Sequence, residues 1–499
     1  MPETIRDMNY QYLYLLTCIV SFFVWQKGLT QENHYWTQQY GGRSALMGGA
    51  AIAGANDNSA IFYNPSLLPL IEKKELSVTA NIYRAEFLTL ENGAGKNLPL
   101  ISNQYGTYPQ IISGIVFFKK NKNLRAGYTL LTKQNTHTRF NVRHVFSSNV
   151  IESEPGIEDY VGAFEYNNQV NEQWGGGALG YKISPDFSVG ISQFFAYRFQ
   201  SYVSNSYIRV FPESQAYIAS SDNATSLSYN DVRTITKLGF ARNNHDKPWK
   251  YGISVTLPSL PIYGIANVQR EETITNIEYA IPNNPDYVSH SITDRQTNLR
   301  SKYASPASIA IGIEYHSKKA RYALTIESFA QQKKYYIIKS DSLPLLKPNN
   351  VYVPNIGKFL WLNEYKNPVT NIALGFEHEL KNHLSLQLGL RTNLSYSYVL
   401  TEQQFDDYEN QEQFSISNNT STWDIFHFTV GGTLSRKTGE ISVGIDYGFS
   451  SKKPVGQYVD FKNPKAVNYF YGNYETGAIP KLNSLNAIVS YTHYLKTTH

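Results

Sequence analysis

The chain has 499 residues, with 45 Lys and Arg against 40 Asp and Glu, and a formal charge of +5 is too weak a bias for a nucleic-acid binder. Beside 3 Met and a single Cys stand 39 Tyr, 25 Phe and 33 Gly, a profile that suits long antiparallel strands and their turns. Beyond the N-terminus no run of about 18 apolar residues occurs, which excludes spanning helices. A β-barrel stays open, because its strands are apolar only at every second position.

In chain order, the first element is a targeting segment. Leu13–Trp25, LYLLTCIVSFFVW, has the length of a secretory apolar core, Arg6 precedes it, and Gly28-Leu29-Thr30 offers small residues for cleavage. Residues 1–30 therefore read as a signal peptide, with the mature chain starting near Gln31. The only cysteine, Cys18, lies inside it, so the exported chain has no disulfide or cysteine–metal chemistry.

Residues 31–75 follow as a second unit. Its centre, GGRSALMGGAAIAGANDNSAIFYNPSLLPL at 41–70, has too much glycine for a dependable helix, too little alternation for a strand and too many apolar residues for a linker. From about Leu76 onward, residues 76–499 repeat one pattern. In ISVGIDYGFS, Ile441, Val443, Ile445, Tyr447 and Phe449 share one face and Ser442, Gly444, Asp446 and Gly448 the other. The stretch from Leu384 to Tyr398 does the same, with Arg391 on the polar face.

Connections between these strands fall into two classes. Short polar turns are expected at 119–123, 184–186, 243–247, 317–319, 381–383 and 436–440, and long irregular loops at 139–172, 200–231, 262–300 and 451–481. Short turns on one side and long loops on the other is the pattern of an outer-membrane barrel. Six turns join twelve strands, and a first and a last strand bring the total to about fourteen, an even number. Residues 31–75 then have a place to go, inside the barrel, where Gly and Ala allow close backbone approach. The expected fold is an all-β transmembrane antiparallel barrel of about 14 strands, plugged by an N-terminal hatch, in the outer membrane of a Gram-negative cell.

The opening stretch resembles the N-terminal signature of the FadL-like outer-membrane transporters of long-chain fatty acids and aromatic hydrocarbons. In that family a Gly/Ala-rich hatch leads into an Asp-Asp-Ala-Ser-like turn and then Asn-Pro-Ala. The matching positions here are Gly48, Gly49, Asp57, Asn58, Ser59, Asn64 and Pro65, with Ser66 replacing the alanine. SPASIAIGIEY at 305–315 is similar to a Pro-Ala-Ser strand opening of the same family. Related hatches occur in PorV-like subunits of secretion and assembly machinery. The C-terminus departs from the pattern, running five residues past Tyr494 where such barrels end on an aromatic residue.

Other constellations read as polar surface. His378-Glu379 with His383 misses the zinc-protease spacing by one residue and falls at a turn, and NGAGKN at 92–97 lacks the first glycine of a phosphate loop. Asp424 and His427 have no serine partner for hydrolase chemistry, so no metal, cofactor or catalytic residue is expected. Arg391 is the candidate lumen contact for a ligand carboxylate, the alternative being pairing with a hatch or strand acid. The tyrosine-rich 456–477 reads either as a docking surface for outer-membrane protein partners or as a cover over the barrel mouth. Two functions follow: passive uptake of hydrophobic or amphipathic small molecules through a barrel embedded in outer-membrane lipid, or a structural subunit of an outer-membrane complex.

Overall fold

The computed structural model describes residues 33–73, 75–152, 156–212, 217–243, 247–279, 286–341, 356–381, 383–397, 416–417, 421–466, 470 and 477–495. The targeting segment at 1–30 and parts of the tyrosine-rich loop lie outside the described residues. Two short helices, α1 (Gly42–Leu46) and α2 (Ala60–Tyr63), and a 3-10 turn over Pro65–Leu70 precede the strands. These are β1 (Glu75–Glu91), β2 (Leu100–Phe117), β3 (Leu124–Ser148), β4 (Glu158–Lys182), β5 (Phe187–Phe211), β6 (Ala219–Asn243), β7 (Trp249–Thr256), β8 (Leu260–Tyr279), β9 (Asp286–Arg300) and β10 (Ser308–His316). There follow β11 (Ala320–Phe329), β12 (Gln332–Ile338), β13 (Leu362–Lys366), β14 (Val369–Lys381), β15 (Leu384–Asn393), β16 (Ile416–Ser417), β17 (Ile425–Arg436), β18 (Gly439–Ser450) and β19 (Ile479–Tyr494).

Fourteen of these strands close into an antiparallel barrel. Around the wall the order is β1 to β7, β10, β11, β14, β15, β17, β18 and β19, and Glu75 of β1 opposite Tyr494 of β19 makes the closure. Both chain ends of the barrel therefore stand on the side of the short turns. The short turns at 119–123, 184–186, 317–319 and 436–440 fall where the sequence places them, for instance between Phe117 and Leu124 and between Arg436 and Gly439; those at 243–247 and 381–383 lie in part outside the described residues.

The outer face identifies the solvent. Val443 is 53% exposed and Ile441, Ile445, Tyr447 and Phe449 are exposed with it, whereas Ser442 between them is 4% exposed. A water-soluble sandwich would bury the first set and expose the second; here the apolar face looks outward, as in a barrel that spans a bilayer.

Beyond the belt the polarity inverts. β3, β4, β5 and β6 each run 25 residues, or roughly 80 Å at about 3.3 Å per residue, far more than a band about 25 Å tall requires. In the upper half of β4 the outward residues are Glu165, Asn167 and Gln169, while Tyr160, Phe164, Tyr166 and Val170 are buried inside. Tyr160, Phe164 and Tyr166 join Phe140, Tyr229, Phe359, Trp423 and Phe461 in an apolar core capped by loops. That is the inside-apolar arrangement of a protein in water, so the inversion marks where the wall leaves the membrane.

The long loops expected at 139–172, 200–231 and 262–300 are accordingly corrected. They are mostly strand: β3 pairs with β4 to Ser148 and Glu158, β5 with β6 to Val210 and Ala219, and β8 with β9 to Tyr279 and Asp286. Two features hid them. A bulge at Lys133 between Thr132 and Gln134 shifts the alternation by one residue, and above it the apolar positions face in instead of out. β7 and β8 form one rising strand interrupted at Leu257-Pro258-Ser259, where proline removes a ladder donor; β7 pairs with the lower part of β6 and β8 with the upper.

Candidate lumenal site

Residues 33–71 fill the barrel at the level of the belt, and the wall is built to receive them. α1 packs on β15, β17 and β18. A Cβ on Gly431 would come 2.6 Å from Leu46, one on Gly375 2.8 Å from the Met47 carbonyl, and one on Gly312 2.7 Å from the Ala53 nitrogen. On the far side, Gly127 meets Ile61 at 2.6 Å and Gly180 meets the Pro65 carbonyl at 2.6 Å in the same sense. Each is an inward position on its strand, so backbone and side-chain atoms of the hatch occupy the space of the missing side chains.

The seven signature residues divide among three tasks. Gly48 (φ +68°) and Gly49 (φ +83°) carry the chain through a left-handed turn after α1. A Cβ on Gly48 would sit 3.2 Å from the Leu390 backbone, while one on Gly49 would overlap the Gln39 side chain, so Gly49 faces the hatch's own lead-in and not the wall. Asp57 accepts from the Ser59 nitrogen at 3.0 Å and hydroxyl, and from Ser44 at 3.5 Å, which ties α1 to α2. Asn58 donates to the Ser113 carbonyl of β2 at 3.0 Å. The Asn64 oxygen caps the 3-10 turn by accepting from Ser66, and its amide donates to the Ile52 carbonyl (2.8 Å) and the Phe240 carbonyl of β6 (3.1 Å). Pro65 occupies the first position of that turn, where no donor is needed. At the short-turn end, Arg43 binds Glu377 at 2.6 Å, Glu440 at 3.1 Å and Ser435 at 2.8 Å.

Above the hatch lies a partly enclosed cavity of about 90 Å³. The lead-in Tyr35–Gln39, Phe62 of α2, and Trp174, Ile235 and Phe329 of the wall line it. Lys237 of β6 is buried with its ammonium 4.3 Å from the Phe62 ring centroid. Lys133, on the β3 bulge, donates to the Tyr35 carbonyl at 2.6 Å and lies 5.4 Å from the same ring. Glu327 of β11 accepts from the Trp36 indole at 2.7 Å and from Ser308 at 2.7 Å. Tyr303, in the segment between β9 and β10, borders the cavity with Lys366 at 4.1 Å and Arg198 at 4.1 Å from its ring. Aromatic walls with two ammonium groups can hold a small apolar body and an anionic head. Among the described residues no group of three His, Cys, Asp or Glu is placed to hold a metal.

Arg391 does face the lumen, but outside this cavity. Asp446 accepts from it at 2.8 Å and the His427 ring nitrogen lies at 3.0 Å, so the strand-acid pairing describes its contacts. Asp424 accepts from the Ser395 nitrogen at 3.0 Å. Lys133, Lys237, Phe62 and Trp174 were not singled out from the sequence. Lys237 was within reach, because Asp231, Arg233, Ile235 and Lys237 alternate inward on β6 as Arg391 does on β15; Lys133 was hidden by its bulge.

No protein-family profile and no curated protein sequence matches the chain. Solved structures do. A Pseudomonas aeruginosa FadL homologue aligns at 10% identity over 93% of this chain and 100% of its own, with a TM-score of 0.57. The P. putida toluene transporter TodX aligns at 14% over 92% and 99%, with a TM-score of 0.55. The chain has the FadL-like fold. A third FadL-like barrel, the Ralstonia pickettii toluene transporter TbuX, aligns at 11% over 93% and 100%, with a TM-score of 0.50.

Proposed function

We propose that this FadL-like barrel sits in the outer membrane and admits hydrophobic or amphipathic small molecules by diffusion, without covalent chemistry or an energy source. The observation that carries the proposal is the cavity between hatch and upper core, walled by Phe62, Trp174 and Phe329 and supplied with the Lys237 ammonium. The fold is shared with a FadL homologue and two toluene transporters, which supports this reading. At about 90 Å³ the chamber holds only a small body, and a longer ligand enters when the Tyr35–Gln39 lead-in or the hatch shifts. In this reading residues 1–30 direct export, residues 31–75 are the hatch, and Gly48, Gly49, Asp57, Asn58, Ser59, Asn64 and Pro65 hold it in place. Arg391 serves lumen structure through Asp446, and Lys237 meets the ligand head.

The test is ligand binding by purified protein, read from the emission of the cavity-lining Trp36 and Trp174 with decanoate as an anionic probe and toluene as a neutral one. Saturable binding of either, weakened by Phe62→Ala, supports uptake, and loss of decanoate alone in Lys237→Met assigns the head group. Purification in mild detergent with stoichiometric protein partners and no binding of either probe would instead point to a structural subunit.

A further inference from the structure

The outer wall carries a second feature, at the rim of the short turns. Exposed cations crowd this rim: Lys119, Lys120 and Lys122 follow β2, Lys318 and Lys319 follow β10, and Lys437 follows β17. Among the described residues the exposed acids on the same rim are Glu72 and Glu379. Next to this rim and its crown of cations, on the lipid-facing side, β5, β6 and β7 form an open groove of about 490 Å³. Ile183, Phe187, Val189, Phe240, Tyr251 and Ile253 line it. Arg242 closes its edge toward the turns, opposite Phe187 in the ladder, with its guanidinium carbon 5.6 Å from the Phe187 ring. Arg242 is exposed and makes no ion pair among the described residues.

We propose that this groove binds one anionic phospholipid of the leaflet that meets the short turns, with an acyl chain along Phe187, Phe240 and Ile253 and the phosphate at Arg242. The groove lies on the face where hydrocarbon is the solvent, so an acyl chain is its natural filling. A guanidinium at headgroup depth presents a planar fork of donors to phosphate oxygens, and the neighbouring lysines raise the local concentration of anionic lipid. Arg242 supplies the site-specific part of the attraction and the crown the diffuse part. This site is independent of transport through the lumen.

Trp249, at the start of β7, is 48% exposed on this rim, beside the groove residue Tyr251. It is a built-in reporter, because Trp36, Trp174 and Trp423 are buried and Trp361, half-buried against Tyr336, stands at the long-loop end of the barrel. Full-length protein would be reconstituted in phosphatidylcholine vesicles containing either phosphatidylglycerol or phosphatidylcholine with brominated chains, and Trp249 quenching read after subtracting a Trp249→Phe control. Half-maximal quenching at a several-fold lower mole fraction of the brominated anionic lipid is expected, with the difference abolished in Arg242→Gln. Equal quenching by the two lipids in the parent would overturn the proposal and leave the basic crown for an acidic macromolecule. A preference that survives in Arg242→Gln would overturn it too, reducing the effect to diffuse attraction by the turns.

Discussion

Gly48 of the hatch and Gly389 of β15 meet backbone to backbone. A Cβ added to Gly389 would overlap the Gly48 nitrogen and press on the Met47 carbonyl carbon, and one added to Gly48 would stand 3.2 Å from both the Leu390 nitrogen and its carbonyl oxygen. Two glycines far apart in the sequence thus set the distance between plug and wall. Gly389→Val is expected to push the hatch off β15, at a cost of about 1–3 kcal/mol typical of overpacking, while the barrel itself still forms. Heat-modifiability on gels should persist and limited proteolysis should newly cut within residues 41–50. A variant with the parent's protease resistance would show that this contact does not seat the hatch.

Arg43 fastens the other end. Its guanidinium bridges Glu377 and Glu440 close to the short turns, and Arg321 shares Glu377 at 2.7 Å. Arg43→Ala removes several charged hydrogen bonds, each worth about 1.5–3 kcal/mol when intact, although Arg321 keeps Glu377 partly compensated. Thermal unfolding in detergent should shift downward, and Arg43→Lys should recover only part of the shift because a point charge cannot reach both acids with a planar fork. An unchanged midpoint in Arg43→Ala would assign the anchoring elsewhere.

Asn64 separates capping from bridging. Asn64→Asp keeps an oxygen for the Ser66 nitrogen but replaces the amide that donates to the Ile52 and Phe240 carbonyls with a charge that faces them. Asn64→Ala loses both roles. The aspartate is expected to be at least as destabilising as the alanine, whose cap loss alone is about 1 kcal/mol. If the aspartate matched the parent in denaturant unfolding, the link from hatch to β6 would carry no weight.

These contacts also show what a one-dimensional reading can and cannot reach. The outward set Ile441 to Phe449 and the short turns are local patterns, so strand number, the outward apolar face and the turn positions were legible. The upper reaches of β3 to β6 were not, since the bulge at Lys133 and the inversion of polarity above the belt break the pattern that announces a membrane strand. Inward glycines such as Gly312 and Gly375 look like any small residue until the hatch is placed against them. Arg391 was correctly turned inward by alternation, but its partner Asp446 lies 55 residues away, and the pairing of β15 with β17 and of β17 with β18 brings the two together.

His34 offers a pH test of the lead-in. Its ring Nε2–H donates to the Trp423 carbonyl (2.9 Å), and burial, only partly offset by that bond, holds its pKa down to about 4 from an ordinary 6.5. The unfolded chain therefore binds the proton first, so the contribution of His34 is present above pH 6.5 and is lost as pH falls toward 4. Hydrogen exchange at residues 33–40 should accelerate over that window, beyond the ordinary pH trend of exchange, and the excess should vanish in His34→Gln. The same excess in the variant would exclude His34 as its source.

The central claim is that residues 41–70 close a lumen whose wall stands without them. Deleting this segment and recording single-channel currents in a planar bilayer tests it most directly. Strand pairing satisfies the wall's backbone independently of the hatch, so the deletion should retain its heat-modifiable barrel and show stable open steps for small ions where the intact protein shows none. A deletion that stays folded yet conducts no more than the intact protein would contradict the claim.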